Sequence, residues 1–166
     1  NGWFTKGSVE HAIDAWANEL TEENLTEWVA RYPDFTEPDE PKQVAIIMAG
    51  NIPLVGFHDF LTVMLSCNSA IVKMSSDDNV LLPVLVDALI ALAPDFENRI
   101  RLVDRIENPE AVIATGSNNS ARYFEAYFGK YPHIIRKNRT SVAVLIGEET
   151  DDELKRFGHD LFTYFG

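Results

Sequence analysis

The chain has 166 residues and a formal net charge of −12, and its length is enough to bury a sizeable core, so one domain, or one domain with an appendage, is expected. An apolar share of 46% and an aromatic share of 11% exclude disorder as the main state. The lone cysteine excludes an internal disulfide and favours a reducing, cytoplasmic setting. No apolar run reaches the ~18 residues of a membrane span, no signal peptide opens the chain, and the acidic balance leaves no overall basic footprint for nucleic acid.

The charge is uneven. Residues 1–41 carry ten acids against Lys6 and Arg31, a net of −8, whereas residues 42–166 carry a net of only −4. Together with the proline-rich stretch 33–41, this marks a boundary near residue 41. Two amphipathic helices are predicted before it. The first opens at Ser8 and buries Ile13, Trp16, Ala17 and Leu20; the second opens at Thr21 and buries Leu25, Trp28, Val29 and Tyr32. Docking on the main domain is the plain reading of this pair, and a partner surface the other.

Beyond the boundary, strands and helices alternate. A continuous apolar strand spans 44–49, and a helix follows over 53–66 with Pro53 at its first position. A strand at 70–74 precedes a helix over 80–92 that must accommodate Pro83 near its start. Short strands follow at 100–103 and 111–115, then a helix over 118–128, strands at 133–136 and 141–146, and a helix over 151–164. This pattern predicts an α/β fold: a Rossmann-like, mostly parallel sheet with helices on both faces, preceded by a short helical segment.

Ligands of such sheets bind at the carboxyl ends of the strands, so the strand-to-helix junctions are the candidate sites. Three stand out: Ala49-Gly50-Asn51-Ile52-Pro53, Lys73-Met74-Ser75-Ser76-Asp77 and Thr115-Gly116-Ser117-Asn118-Asn119. Glycine, hydroxyls and a lysine at helix starts suit phosphate, although each junction alone is also ordinary turn and cap chemistry. Neither the Gly-x-Gly-x-x-Gly dinucleotide fingerprint nor a Walker-type phosphate loop is present.

The residues at these junctions carry a resemblance. The run Gly50-Asn51-Ile52-Pro53-Leu54-Val55-Gly56-Phe57-His58-Asp59-Phe60 and the run Ala114-Thr115-Gly116-Ser117-Asn118 resemble the acyl-CoA reductase branch of the aldehyde dehydrogenase superfamily. That branch includes the reductase component of luminous-bacterial fatty acid reductase. The superfamily's Pro-Trp-Asn-Phe-Pro is matched around Asn51, its Gly-Asn-x-Val-Val-x-Lys-Pro-Ser-Glu by residues 67–76, and its Phe-Thr-Gly-Ser by residues 114–117. The likeness covers roughly 44–166 and extends to Gly2-Trp3-Phe4-Thr5.

The resemblance implies roles. Met48, Ala49, Gly50 and Asn51 line the nicotinamide side, and the Asn51 amide supports the developing oxyanion. Lys73, with Ser75 and Ser76, holds the adenosine ribose; Thr115, Gly116 and Ser117 approach the pyrophosphate. Ser76 stands where the superfamily has a glutamate that bonds the ribose hydroxyls. A serine donates to a 2′-phosphate that a carboxylate repels, so NADP(H) is favoured over NAD(H).

Cys67 falls where the superfamily has glycine and reads as a small buried residue. The family's nucleophilic cysteine lies just past a Tyr-Phe-Gly segment like the terminal Tyr164-Phe165-Gly166. Residues 42–166 are thus expected to be an NAD(P)-binding domain truncated before the catalytic domain, with the fragment alone inactive. The implied enzyme reduces a fatty acyl thioester to an aldehyde through a cysteine acyl-enzyme. An acyl-CoA or protein-bound thioester is the expected substrate, and the complete protein is expected to self-associate and to meet acyl-transfer proteins. An oxidising aldehyde dehydrogenase, or a nucleotide-binding or interaction module without catalysis, are the alternatives.

The first alternative is disfavoured because no acid occurs between Glu125 and Glu148, where the superfamily places a water-activating glutamate. The same stretch holds a basic patch, Arg122, Lys130, Arg136, Lys137 and Arg139 against Glu125, that faces either phosphates or solvent. His58 and Asp59 read as surface or capping residues of their helix, with a proton shuttle the other reading. The remaining histidines have no spacing for a metal.

Overall fold

The computed structural model describes residues 2–32, 36, 38–138 and 140–165. Five short strands, β1 (Gln43–Ile47), β2 (Ser69–Lys73), β3 (Ile100–Leu102), β4 (Ala111–Thr115) and β5 (His133–Arg136), form one sheet in the order β3-β2-β1-β4-β5, with every pair parallel. The fold is therefore α/β and Rossmann-like. Runs such as Val44 to Ile46 and Ala70 to Val72 are buried on both sides, because the inner parallel strands are covered by helices or chain on each face, whereas the edge strands β3 and β5 keep exposed residues.

Alternate residues serve two cores. Val44, Ile46, Ala70, Val72 and Ile113 face α3 (Phe57–Leu65) and α4 (Leu81–Leu92). On the opposite face, Ala45, Val112 and Ala114 meet Phe124 and Phe128 of α5 (Asn118–Phe128). Burial of a side chain such as Ile46, Ile71 or Val72 contributes roughly 1.5–3 kcal/mol.

The N-terminal helices are α1 (Lys6–Glu19) and α2 (Glu22–Ala30). Thr21 caps α2 as expected, but α1 is capped by Thr5, whose hydroxyl oxygen accepts from the Ser8 amide, so the helix opens earlier than Ser8 suggested. Their buried faces are narrower than the pattern predicts. Ala12 and Trp16 reach the α3–α4 core, with Trp16 set edge-on to Phe57 at 5.0 Å, and Trp28 stacks on His58 at 5.4 Å. Ile13, Ala17, Leu20, Val29 and Tyr32 remain exposed. The expected proline-rich boundary includes Pro33, Asp34, Phe35 and Glu37, which lie outside the described residues.

Two further expectations are corrected. Pro53 does not start a helix: residues 51–56 are turns, Leu54 sits at φ 57°, and α3 begins at Phe57. The alternation at 141–146 does not become a strand, since none of its residues pairs with the sheet, and Val142 and Val144 are 84% and 82% exposed. Helix α6 (Asp151–Phe162) follows, opened by a reciprocal capping box between Thr150 and Glu153. It meets α1 through His159 and His11, whose rings lie 5.8 Å apart edge to face.

Candidate functional site

Register brings the three glycine- and hydroxyl-bearing junctions to one edge. Ile47 of β1 stands level with Lys73 of β2 and with Ala114 of β4, so the chain leaves all three strands side by side. From β1 the chain crosses by α3 on one face; from β4 it crosses by α5 on the other. The β1–β4 boundary is thus the switch point at which such sheets open a crevice outside their carboxyl ends. Asn51, Ser76 and Ser117 are exposed there, and Lys73 is half-buried and makes no ion pair among the described residues.

The first two junctions touch. A Cβ on Gly50 would lie 2.4 Å from Ser75 Cβ and 3.1 Å from the Asp78 amide, so only glycine lets the loops close on each other. Ser75 Oγ in turn accepts from the Asp77 amide. Asp78 Oδ2 accepts from the Leu54 amide at 3.0 Å, which fixes the turn that replaces the expected first turn of helix. Asp78 Oδ1 is buried with no described partner, and burial holds this carboxyl above the usual carboxylate range against the pull of the Leu54 and Leu81 amides. Met48 turns its side chain under Gly56 into the α3 core, leaving its backbone at the edge. Asp77, exposed beside Ser76, pairs with no described cation.

At the third junction, Ser117 caps α5 by accepting from the Ser120 amide at 3.1 Å. The Gly116 amide donates to the Arg136 carbonyl at 3.1 Å. That leaves the amides of Asn118 and Asn119, in the first turn of α5, without an intrahelical acceptor and at the positive end of the helix dipole. Unpaired lysine, exposed hydroxyls and these amides form a donor set that suits a pyrophosphate-bearing nucleotide.

Asp59 departs from its expected surface role. It is 5% exposed, its Oδ1 pairs with the Arg136 guanidinium, and its Oδ2 accepts from the Thr115 hydroxyl at 3.4 Å. His58 Nδ1 lies 3.6 Å from the same carboxylate. One sequence signal was available: Asp59 lies four residues before the buried Val63, on the packed side of α3.

The basic patch does not assemble as a phosphate surface. Arg136 is committed to Asp59, Lys137 pairs with Glu125 at 2.9 Å, Lys130 lies over the Tyr131 ring, Arg139 is outside the described residues, and Arg122 alone stays exposed with no ion pair among the described residues. The Lys137 hydrogen bond and charge lower the Glu125 carboxyl below its usual range. Cys67 ends α3 at φ 57°, just before β2, on the amino side of the sheet and away from Asn51. No group of three or more metal-ligating side chains occurs among the described residues, and no helix there is long and apolar enough to cross a membrane.

An all-parallel α/β sheet with nucleotide-type donors across its switch point defines the class. Comparison with known proteins gives its family. A family model described as acyl-CoA reductase (LuxC) matches residues 2–164, so the chain belongs to the LuxC acyl-CoA reductase family. It is 27% identical over 157 residues to a long-chain acyl-protein thioester reductase of Aliivibrio fischeri, a match that takes in 84% of this chain and 33% of the relative. The chain thus spans about a third of that relative's length. No solved structure matches it.

Proposed function

We propose that the chain is the cofactor-binding part of a reductase that converts a fatty acyl thioester to an aldehyde with NADPH through a cysteine acyl-enzyme. The family match over residues 2–164 carries the reading, and the name of the Aliivibrio fischeri relative supports the thioester substrate. In this reading residues 42–166 form the NAD(P)-binding domain and residues 1–41 an acidic helical segment docked on it. When bound, NADPH supplies the hydride.

The chain's own residues do the rest by binding and orientation. The backbone of Met48, Ala49 and Gly50 lines the nicotinamide side, and the Asn51 side-chain amide donates to the oxygen that gains charge as hydride adds to the acyl-enzyme. Lys73 and Ser76 hold the adenosine ribose and its 2′-phosphate, while Thr115, Gly116 and Ser117 place the pyrophosphate against the start of α5. Ser75 acts through Gly50, by packing against it. Cys67, at the opposite edge from Asn51, is not the nucleophile. The absence of any acid between Glu125 and Glu148 deprives the acyl-enzyme of a water-activating base from that stretch, which supports reduction over hydrolysis.

Calorimetric titration of the intact enzyme with NADPH and with NADH tests the assignment. NADPH binds more tightly than NADH, Lys73→Ala weakens NADPH about tenfold, and Ser76→Glu erodes the preference. Absence of binding by either nucleotide sinks the cofactor assignment, and equal affinity for both sinks the NADP(H) preference.

A further inference from the structure

Asp59 gathers three elements at one point. It belongs to the first turn of α3, yet its carboxylate meets the last residue of β4, Thr115, and the last residue of β5, Arg136. A carboxylate this buried is retained only with a cation and hydrogen-bond donors around it, and these two residues provide both. Arg136 is held a second time, because its carbonyl accepts from the Gly116 amide at 3.1 Å. Gly116 is closely packed on its other side: a Cβ there would lie 3.0 Å from Ser120 Cβ and from Phe124 Cε2. The turn between β4 and α5 is therefore clamped from below by the Asp59 cluster and from above by α5.

We propose that Asp59 is a positioning residue: through Arg136 and Thr115 it sets the turn at 115–117 and so the direction in which the Asn118 and Asn119 amides point. This rests on the cofactor reading above, in which those amides receive the pyrophosphate. The pair spends the Arg136 charge on alignment, so Arg136 is no phosphate ligand despite its place at the carboxyl edge. His58, stacked on Trp28 and 3.6 Å from the carboxylate, is the other titratable group at the cluster.

Amide hydrogen exchange and nucleotide titration on the same variants separate the two claims. In Asp59→Asn, exchange at the hydrogen-bonded amides of this stretch, Gly116, Ser120 and Ala121, accelerates about tenfold or more, while amides of β1 and β2 keep their protection. The dissociation constant for NADPH rises about tenfold in protein that circular dichroism shows to be folded. Unchanged exchange at those amides, or acceleration spread evenly over the sheet, overturns the proposal, because a merely structural pair lowers global stability without singling out the turn. An unchanged dissociation constant overturns it too. So does tighter NADPH binding with a steeper salt dependence, which marks Arg136 as a masked phosphate ligand.

Thr115→Val covers the case in which Asp59→Asn does not fold. It removes only the hydroxyl link and leaves the ion pair, and a few-fold local acceleration is expected; none overturns the proposal. Arg136→Lys retains the charge and recovers part of the protection lost in Arg136→Gln. If the wild-type protein binds neither nucleotide, the cofactor reading fails, while the exchange data still judge Asp59.

Discussion

The carboxyl edge of the sheet is built in two halves that solve the same problem differently. On the β1–β2 side a half-buried acid, Asp78, joins two loops through backbone amides and has no cation among the described residues; on the β4–β5 side a buried acid, Asp59, joins a helix to two strand ends through an arginine. Both acids pull separate segments together at the carboxyl edge of the sheet. The difference is in what each leaves over. The Asp78 arrangement leaves Lys73 without an ion pair among the described residues, whereas the Asp59 arrangement consumes Arg136. A cation at such an edge is thus no guide to ligand binding until its carboxylate partners are counted.

Breaking the charged half should cost most. Arg136→Met leaves Asp59 buried without its cation, and loss of one partner of such a pair costs about 3 kcal/mol. Arg136 retains some exposure, so the lower end of the usual range applies. Urea denaturation of the variant measures this, and a change under about 0.5 kcal/mol would make the pair an ordinary surface one. The uncharged half depends on close approach. Gly50→Ala forces a Cβ into Ser75 Cβ, an atom next to the backbone that cannot swing away. Overpacking of this kind costs about 1–3 kcal/mol, and NADPH affinity falls with it as the two loops part. Unchanged stability and affinity would show that the loops are not held by that contact.

Much of the fold was legible, and the reason is local. Strands 111–115 and 133–136 and the helix 118–128 match β4, β5 and α5, because apolar runs bounded by turn residues, with Ser117 as a cap, are written in contiguous residues. What was missed depends on distant partners. The helix expected at Pro53 yields to a turn because Asp78, 24 residues on, takes the Leu54 amide. Asp59 looked like a surface residue because its cation lies 77 residues away. At 141–146 the alternation is that of a half-buried strand, yet a strand exists only with a neighbour, and the described residues offer none. The site was read in the same way: the three junctions were found from their own residues, and their contacts with each other were not.

The smallest expected effect discriminates best between the two halves. Asp78→Asn keeps an oxygen for the Leu54 amide and removes the charge that burial penalises. Because the native state raises the Asp78 carboxyl above its unfolded value, the folded protein binds the proton more readily. This group's contribution to stability is therefore largest at acid pH and declines as pH rises through that elevated titration. The asparagine variant lacks that decline. It should match or slightly exceed the wild type at neutral pH, and its advantage should vanish as the pH falls toward the ordinary carboxylate range. Glu125 works in the opposite direction: its lowered carboxyl contributes stability above the unfolded value that is lost as pH falls, so the comparison is made in a Glu125→Gln background. Parallel stability–pH curves for the two proteins in that background would mean that Asp78 titrates alike in the folded and unfolded chain. The β1–β2 half would then hold its acid no differently from a solvated one, and its contrast with the Asp59 half would rest on geometry alone.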